Sequence, residues 1–365
     1  MTRLISRPAG ALAATLALGV FAAACGGGSG APGAAAGGDG AEGGGITLAT
    51  WGGAYTKADV AHFLKPFERE TGTTFRTADA PGEFVAKLEA QAKAGNVQWD
   101  VLNPDEADAE VLAGNGLLQE LPADVRARIV KAVGAGNVSD YGVSVADYAD
   151  VIVCNPAVVE RCPRTPAEFW DTKGFPGPRA MYGDGWVENL LFALEADGVP
   201  PDQLFPVDVA RAYRKLDAIK SHVDVWWTSG DQSQQILRDE EVGMAIMWDG
   251  RAYQLEQQGL DVEISHTGAT VHREMFVVPK DAPSPKQAFA FLEWYATHPE
   301  EGAEWVQEMH YGVANPKALE HLPDDVARTI ATHPDNLRQS VRLDVPWMTA
   351  NRAQLFPRWN SWLGK

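Results

Sequence analysis

The sequence predicts an α/β protein built of two lobes. Segments that alternate like β-strands recur between segments with the 3.6-residue period of amphipathic helices, from Ile46 onward. Such an alternation is typical of sheets that are covered by helices on both faces. The roughly 320 residues from Ile46 to the end exceed what one hydrophobic core usually supports, so we expect two lobes.

The first predicted elements are a strand and a helix joined by a glycine turn. Ile46–Thr50 has the pattern of a strand, and Trp51–Gly53 follows as the turn. Apolar residues then recur at helical spacing, at positions 60, 63, 64 and 67, until Gly72 ends the helix. Thr56, with Asp59 three residues later, predicts a capping box at the start of this helix.

The alternation of predicted strands and helices continues along the chain. Further strands are predicted at Trp99–Leu102, Val223–Trp226 and Val242–Met247. Further helices are predicted from Phe84 to Gly95, about Glu188–Glu195, Val209–Ile219 and Gln232–Arg238, and around Ala288–Tyr295. Because ligands of open α/β sheets bind beyond the carboxyl ends of the strands, the functional edge is predicted at Trp51–Gly53, Asn103–Asp105 and Trp248–Arg251.

Residues 1–25 have the pattern of an export signal. Arg3 and Arg7 precede the apolar run Ala9–Ala24, which is shorter than the roughly 20 residues that a membrane-spanning helix needs. The alternative is a weakly hydrophobic N-terminal helix. The residues before Cys25 resemble the lipobox of bacterial lipoproteins, although Ala22 stands where Leu is usual.

Residues 26–45 consist almost wholly of Gly, Ala and Ser, a composition typical of a flexible tether. Two acyl chains on Cys25 would anchor the protein stably, where one chain would not. The sequence therefore predicts a folded unit from Ile46 that is lipid-anchored at the extracellular face of the cell membrane, or in the periplasm if there is an outer membrane.

Charge and cysteine content exclude several classes of protein. The chain of 365 residues carries 31 Lys and Arg against 49 Asp and Glu, a formal net charge of −18. Such an acidic chain lacks the basic face of a nucleic-acid binder. Three cysteines exclude a disulfide-dense scaffold and a four-thiolate zinc site. In an exported protein, Cys154 and Cys162 favour a disulfide over two free thiols.

Motifs for catalysis or for a cofactor are also lacking. The sequence holds no phosphate-binding loop and no dinucleotide fingerprint after a strand. Gly142–Ala146 matches a nucleophile elbow only in degraded form, and we interpret it as a chance match. His266 and His272 lack the spacing of a metal site and are interpreted as surface or core residues. We expect no catalytic residue, no metal and no cofactor.

Several segments, in order, resemble the extracellular solute-binding proteins of bacterial ABC importers, most nearly the polyamine, opine and amino-acid-like binders of the spermidine/putrescine-binding family. They are Trp51–Thr56, Pro66–Gly72, Gly116–Leu121, Pro166–Asp171 with Phe175–Pro178, Glu240–Arg251 and Met275–Pro279, and the likeness covers residues 46–365. The resemblance implies the two-lobed periplasmic-binding-protein-like type II fold with the ligand cleft between the lobes. It also implies that the chain crosses between lobes near Val151–Val153, Arg273–Met275 and Tyr311–Ala314.

These crossings give a prediction of the domain boundaries. Residues 1–25 form the signal peptide and 26–45 the tether. Residues 46–152 with 273–312 form lobe 1, and 153–272 with 313–365 form lobe 2.

By the same resemblance, seven positions match the ligand site of the family: Trp51, Asp105, Glu188, Trp227, Trp248, Arg251 and Glu274. Gly52 is the eighth candidate, because the Gly52–Gly53 turn before a helix could offer backbone donors to a carboxylate. Asp105 and Arg251 depart from the polyamine binders, which have a small polar residue and an acidic residue at the matching positions. For each Trp the alternative is core packing, and which of Trp226 and Trp227 faces the cleft stays open. For Asp105 and Glu188 the alternative is a solvent-exposed carboxylate at the start of a helix, where the helix dipole stabilises it.

The charge of the ligand follows from these residues. Aromatic walls and carboxylates suit an ammonium, and an arginine grips a carboxylate through its fork of donors. The alternative is that Arg251 pairs internally with Glu188 or Glu274. We therefore expect a monomeric binding protein, not an enzyme, that delivers a small cationic or zwitterionic amine (a polyamine, an amino-acid-like or an opine-like compound) to ABC permease subunits. A sugar-binding lipoprotein is the alternative, whereas a ferric-ion binder would need adjacent tyrosines, which the sequence lacks.

Overall fold

The computed structural model describes residues 45–364. The predicted signal peptide, Cys25 and nearly all of the predicted tether lie outside the described residues. None of the described helices is both long enough and apolar enough to cross a membrane.

The elements of the described chain alternate as the sequence predicts. The strands are β1 (Ile46–Thr50), β2 (Phe75–Asp79), β3 (Val101–Leu102), β4 (Gly142–Cys154), β5 (Arg179–Tyr182), β6 (Val223–Trp227), β7 (Met244–Trp248), β8 (Glu263–Val277) and β9 (Val341–Arg342). The helices are α1 (Gly53–Asp59), α2 (Lys65–Thr71), α3 (Phe84–Lys93), α4 (Glu106–Gly114), α5 (Ala123–Val133), α6 (Pro166–Trp170), α7 (Trp186–Ala196), α8 (Val209–Ile219), α9 (Gly230–Arg238), α10 (Asp249–Gln257), α11 (Pro285–Thr297), α12 (Pro299–Met309), α13 (Asp324–Ala327), α14 (Pro334–Leu337) and α15 (Val345–Leu363). A π-helical turn, Val60–Leu64, joins α1 to α2, and short 3-10 turns lie at Ala135–Asn137, Pro201–Gln203, Lys220–His222 and Pro316–His321.

Two long antiparallel strands, β4 and β8, join two groups of parallel strands. The hydrogen-bonded order within the described residues is β2-β1-β3-β8-β4-β7-β5-β6, with β9 beside β8. β1 lies parallel to β2 and β3 on one side, and β5 lies parallel to β6 and β7 on the other. The carboxyl ends of both parallel groups therefore turn toward the middle of β4 and β8, where a cleft is expected.

Each group of strands has its own hydrophobic core. β4 is buried along its whole length. Its first half, with Val143 and Tyr148, packs into a cluster with Phe63, Phe276 and Trp305, whereas Ile152 belongs to a second cluster, which includes Leu190, Met244 and Trp359. This is the two-lobed α/β arrangement that the sequence predicts, and the residue boundaries of the lobes stay a prediction.

The first helix begins earlier than the sequence predicts, and the predicted capping box is wrong. α1 starts at Gly53, directly after β1, with Gly52 as its N-cap at φ 83°. Thr56 therefore lies inside the helix, where its hydroxyl oxygen accepts the Gly52 N–H at 2.9 Å. Asp59 is fully buried and accepts hydrogen bonds from Thr50 and Trp305. Gly72 ends α2 in the left-handed conformation, as predicted.

Cys154 and Cys162 form a disulfide, which confirms the predicted pairing. Cys154 is the last residue of β4, so the disulfide fastens the loop that leaves this strand.

Candidate functional site

A cavity of about 740 Å³ opens where the parallel strands end. Its wall comes from the residues after β1, β3, β5, β6 and β7, and from the middle of β4 and β8. Seven of the eight residues predicted for the ligand site lie in this wall: Trp51, Gly52, Asp105, Glu188, Trp248, Arg251 and Glu274. A volume of this size suits a small organic solute.

Two carboxylates face each other at one place in the cavity wall. Asp105 follows β3 and pairs across an antiparallel bridge with Glu274 of β8. Tyr148 donates its hydroxyl to Asp105 at 3.0 Å, and Tyr55 donates to Glu274. Burial raises the pKa of Asp105 to about 6, while the positive charge of His272 opposes the shift. Burial and the charge of Asp105 raise the pKa of Glu274 well above its ordinary value. Such a pair is relieved by a cation.

Asp150, Glu188 and His272 form a second charged cluster beside this pair. The Nε2 atom of His272 lies 2.7 Å from Asp150 Oδ2 and 3.6 Å from Glu188 Oε1. Burial lowers the pKa of His272, but the neighbouring carboxylates overcome that effect and raise it to about 9. Burial raises the pKa of Glu188 to about 7. Asp150 Oδ1 and Glu188 Oε2 are buried and have no hydrogen-bond partner among the described residues.

These three residues could also offer oxygen and nitrogen ligands to a metal ion, since their ligand atoms lie within 4.8 Å of one another. A metal would have to displace the proton of His272, which is already held by Asp150. The arrangement therefore resembles a buried ion pair with spare acceptor atoms, which suits an ammonium group.

Aromatic side chains supply the apolar part of the wall. Trp51 packs edge-on against Phe84 with ring centres 5.2 Å apart, and Trp248 packs edge-on against Tyr182 at 5.4 Å. Trp51 Nε1 is buried without a hydrogen-bond partner among the described residues. The N–H of Gly52 is already donated to Thr56, so it is not the free backbone donor that the sequence indicates.

Trp227, predicted to contact the ligand, lies behind the wall and not in it. Its ring is fully buried, stacks under Tyr182 at 4.3 Å and donates Nε1–H to the carbonyl of Ile246. Trp226 points the other way, toward Trp359 and Trp362. Tyr182, which ends the neighbouring strand β5, covers Trp227 and takes the place in the cavity wall.

Arg251 is held on α10 and turns its guanidinium toward the cavity. The residue is only 9% exposed, and its Nε is buried without a partner among the described residues. Its Nη1 lies 3.3 Å from Asp231 Oδ1 on α9. The ion pair is thus made neither with Glu188 nor with Glu274, the two partners that the sequence left open.

Several residues of the cavity wall are not predicted from the sequence. Tyr148 and His272 lie in the middle of β4 and β8, directly opposite each other in register, with their rings stacked 4.7 Å apart. His272 was interpreted as a surface or core residue, and it is a buried residue of the cavity wall. Arg352 reaches the cavity from α15 and pairs with Asp108. Of these residues, Tyr182 at the end of β5 could have been predicted, because ligands bind near the carboxyl ends of strands.

The fold and this charged cavity define a binding protein for a small solute. Comparison with known proteins supports that class. A γ-aminobutyric acid-binding protein of Pseudomonas aeruginosa is 28% identical over 325 residues, which cover 88% of this chain and 91% of that protein. An ABC transporter substrate-binding protein from Bradyrhizobium japonicum USDA 110 superposes with a TM-score of 0.81 at 31% identity, covering 87% of this chain and 99% of that one. A solved GABA receptor superposes with a TM-score of 0.79 at 31% identity, covering 88% and 98%.

Residues 62–334 match the model of the bacterial extracellular solute-binding proteins. The chain belongs to that family, and it is a solute-binding protein of the ABC-transporter type. Its relatives are named as binding proteins or receptors, in agreement with a protein that binds and does not catalyse.

Proposed function

We propose that the protein captures a small amine that also carries a carboxylate, and delivers it to an ABC permease. The observation that carries this proposal is the division of charge in the cavity wall. Buried carboxylates without a full set of partners stand beside a buried arginine with a free donor. A zwitterion satisfies both kinds of group, whereas a diamine or a neutral sugar satisfies only some of them.

The ammonium end fits the carboxylates. Asp105 and Glu274 face each other, and Glu188 has a buried oxygen without a partner. An ammonium placed among them forms charge-assisted hydrogen bonds and relieves the repulsion between like charges. Trp51 and Trp248 offer ring faces to the alkyl chain and its charge, at about 0.5–2 kcal/mol for each cation–π contact.

The carboxylate end fits Arg251, which polyamine binders, by resemblance, replace with an acidic residue. Two relatives are named for γ-aminobutyrate, at 28% and 31% identity. We therefore rank γ-amino acids, guanidino acids and opine-like amino acids ahead of putrescine and spermidine.

Calorimetry on the purified protein tests the proposal. γ-Aminobutyrate, a guanidino acid, putrescine and glucose are titrated into the parent and into Arg251→Ala. Loss of the carboxylate partner should weaken binding of the amino acid by about 2–5 kcal/mol. Arg238→Ala removes the same charge from the exposed face of α9 and should leave binding unchanged. Tight binding of glucose or putrescine, with none of any amino acid, would contradict the proposal.

The mode of attachment belongs to the same proposal. A diacylated Cys25 would hold the folded unit at the outer side of the membrane, and the Gly-rich tether would let it reach the permease. The family to which the chain belongs is extracellular, which supports this placement.

A further inference from the structure

Arg251 uses only part of its hydrogen-bonding capacity. A guanidinium carries five donors in a flat fork, and two of them can meet both oxygens of one carboxylate. Here the ion pair joins Nη1 to Asp231 Oδ1 at 3.3 Å, while Nε is buried without a hydrogen-bond partner among the described residues. The arginine is therefore bound by a carboxylate in a poor geometry, although it is buried and charged.

Asp231 differs from the other carboxylates of the cavity. Its side chain is 77% exposed, whereas Glu188 and Glu274 are buried. It lies in the first turn of α9, and its Oδ2 lies 3.9 Å from the position that a Cβ on Gly53 would take. Asp231 thus stands at the cavity mouth, between the start of α1 and Arg251. An exposed side chain there can turn into solvent at little cost.

We propose that Asp231 is a specificity-determining residue, whose carboxylate holds the place on Arg251 that the carboxylate of the ligand takes. This inference rests on the proposed function and deepens it. A ligand with a carboxylate displaces Asp231 and accepts hydrogen bonds at the end of the guanidinium, where two donors can meet both of its oxygens. A ligand without a carboxylate leaves the pair of Asp231 and Arg251 intact and gains nothing from Arg251.

Neutralising Asp231 gives the direct test. Asp231→Asn removes the internal competitor, so γ-aminobutyrate should bind about two- to five-fold more tightly, as expected for the loss of one exposed ion pair. Asp239→Asn makes the same change of charge on an exposed residue at the end of α9, away from the cavity, and should leave the affinity unchanged. Putrescine should not gain affinity in Asp231→Asn, because it lacks a carboxylate.

Two further measurements separate this inference from the proposed function. In the double variant Asp231→Asn with Arg251→Gln, the gain should disappear, because the ligand then has no arginine to engage. Acetate serves as a second probe, and it should bind more tightly to Asp231→Asn than to the parent even if γ-aminobutyrate binds to neither. In that case the proposed function fails and the role of Asp231 stands.

The inference is overturned if Asp231→Asn binds both probes no more tightly than the parent. A weaker affinity for γ-aminobutyrate in this variant, with Asp239→Asn unchanged, would mean that Asp231 receives the ammonium group and would also overturn it.

Discussion

At the scale of single residues, the site combines groups that are costly to bury together. Asp105 and Glu274 lie opposite each other, and burial raises the pKa of both. Side chains arranged for a ligand in this way lower the stability of the free protein. The same two carboxylates therefore favour binding of the ligand and lower the stability of the free protein.

Glu274→Gln should separate these two effects. The amide keeps the acceptor for the Tyr55 hydroxyl but removes the charge that faces Asp105. We expect a loss of affinity for the amine ligand of about 2–5 kcal/mol, together with a higher melting temperature of the free protein. Calorimetry and a thermal melt measure the two effects. Unchanged binding by Glu274→Gln would exclude this residue from the site.

The pH dependence of stability has a defined sign. His272 has a pKa of about 9, above its ordinary value of 6.5, so its stabilising contribution is complete below about pH 6.5 and is lost as the pH rises through 9. Glu188, with a pKa raised to about 7, binds its proton more tightly in the folded chain, which also favours the folded state as the pH falls through 7. The free energy of unfolding should therefore decrease from about pH 6.5 to pH 9, whereas below pH 6.5 the buried His266, with its pKa lowered to about 4, acts in the opposite direction.

Denaturant melts at pH 6.5, 8 and 9 check this trend. His272→Gln leaves Asp150 and Glu188 without their cation, so it should lower stability most where the parent imidazole is charged. His321→Gln changes an exposed histidine and serves as the control. Parent stability that rises toward pH 9 would contradict the assignment of His272 as a buried cation.

At the scale of elements, helix α9 packs closely against Arg251 at Gly230. A Cβ on Gly230 would lie 2.7 Å from Arg251 Nε and 3.1 Å from the ring of Trp248. Gly230→Ala should therefore displace Arg251 and weaken binding of a carboxylate ligand about 5- to 150-fold, the equivalent of about 1–3 kcal/mol. Gly114→Ala, at the open C-terminal end of α4, meets no atom within 4 Å and is the matched control. Equal affinities in the two variants would contradict this view.

The elements also show what the sequence can predict. Helices such as α8 and strands such as β1 were predicted at their observed bounds, because a local apolar pattern determines them. Residues at or just beyond strand ends, such as Trp248 and Asp105, were predicted by the rule that ligands bind beyond the carboxyl ends of the strands. Tyr148 and His272 were missed because their meeting depends on the register of β4 with β8, which joins residues far apart in sequence. Trp227 was misplaced because the strand pattern does not reveal that Tyr182 covers it.

At the scale of the whole molecule, the predicted anchor can be tested apart from the folded unit. Cys25→Ser removes the atom that lipid would be attached to, while leaving the described residues unchanged. We expect this variant to be released into the medium or to remain an unprocessed precursor, as judged by fractionation and immunoblotting. A mature-length Cys25→Ser protein in the membrane fraction would exclude the lipobox.

The tryptophans of the cavity wall have a practical consequence. Trp51 and Trp248 are partly exposed to the cavity, whereas Trp227, Trp305 and Trp359 are sealed in the cores. When a solute replaces water around these two indoles and around Trp186, which also lines the cavity, their near-ultraviolet emission should change, above a background from the buried rings. The intrinsic tryptophan fluorescence of the protein should therefore report ligand binding without an added label. Trp248→Phe should remove part of that signal.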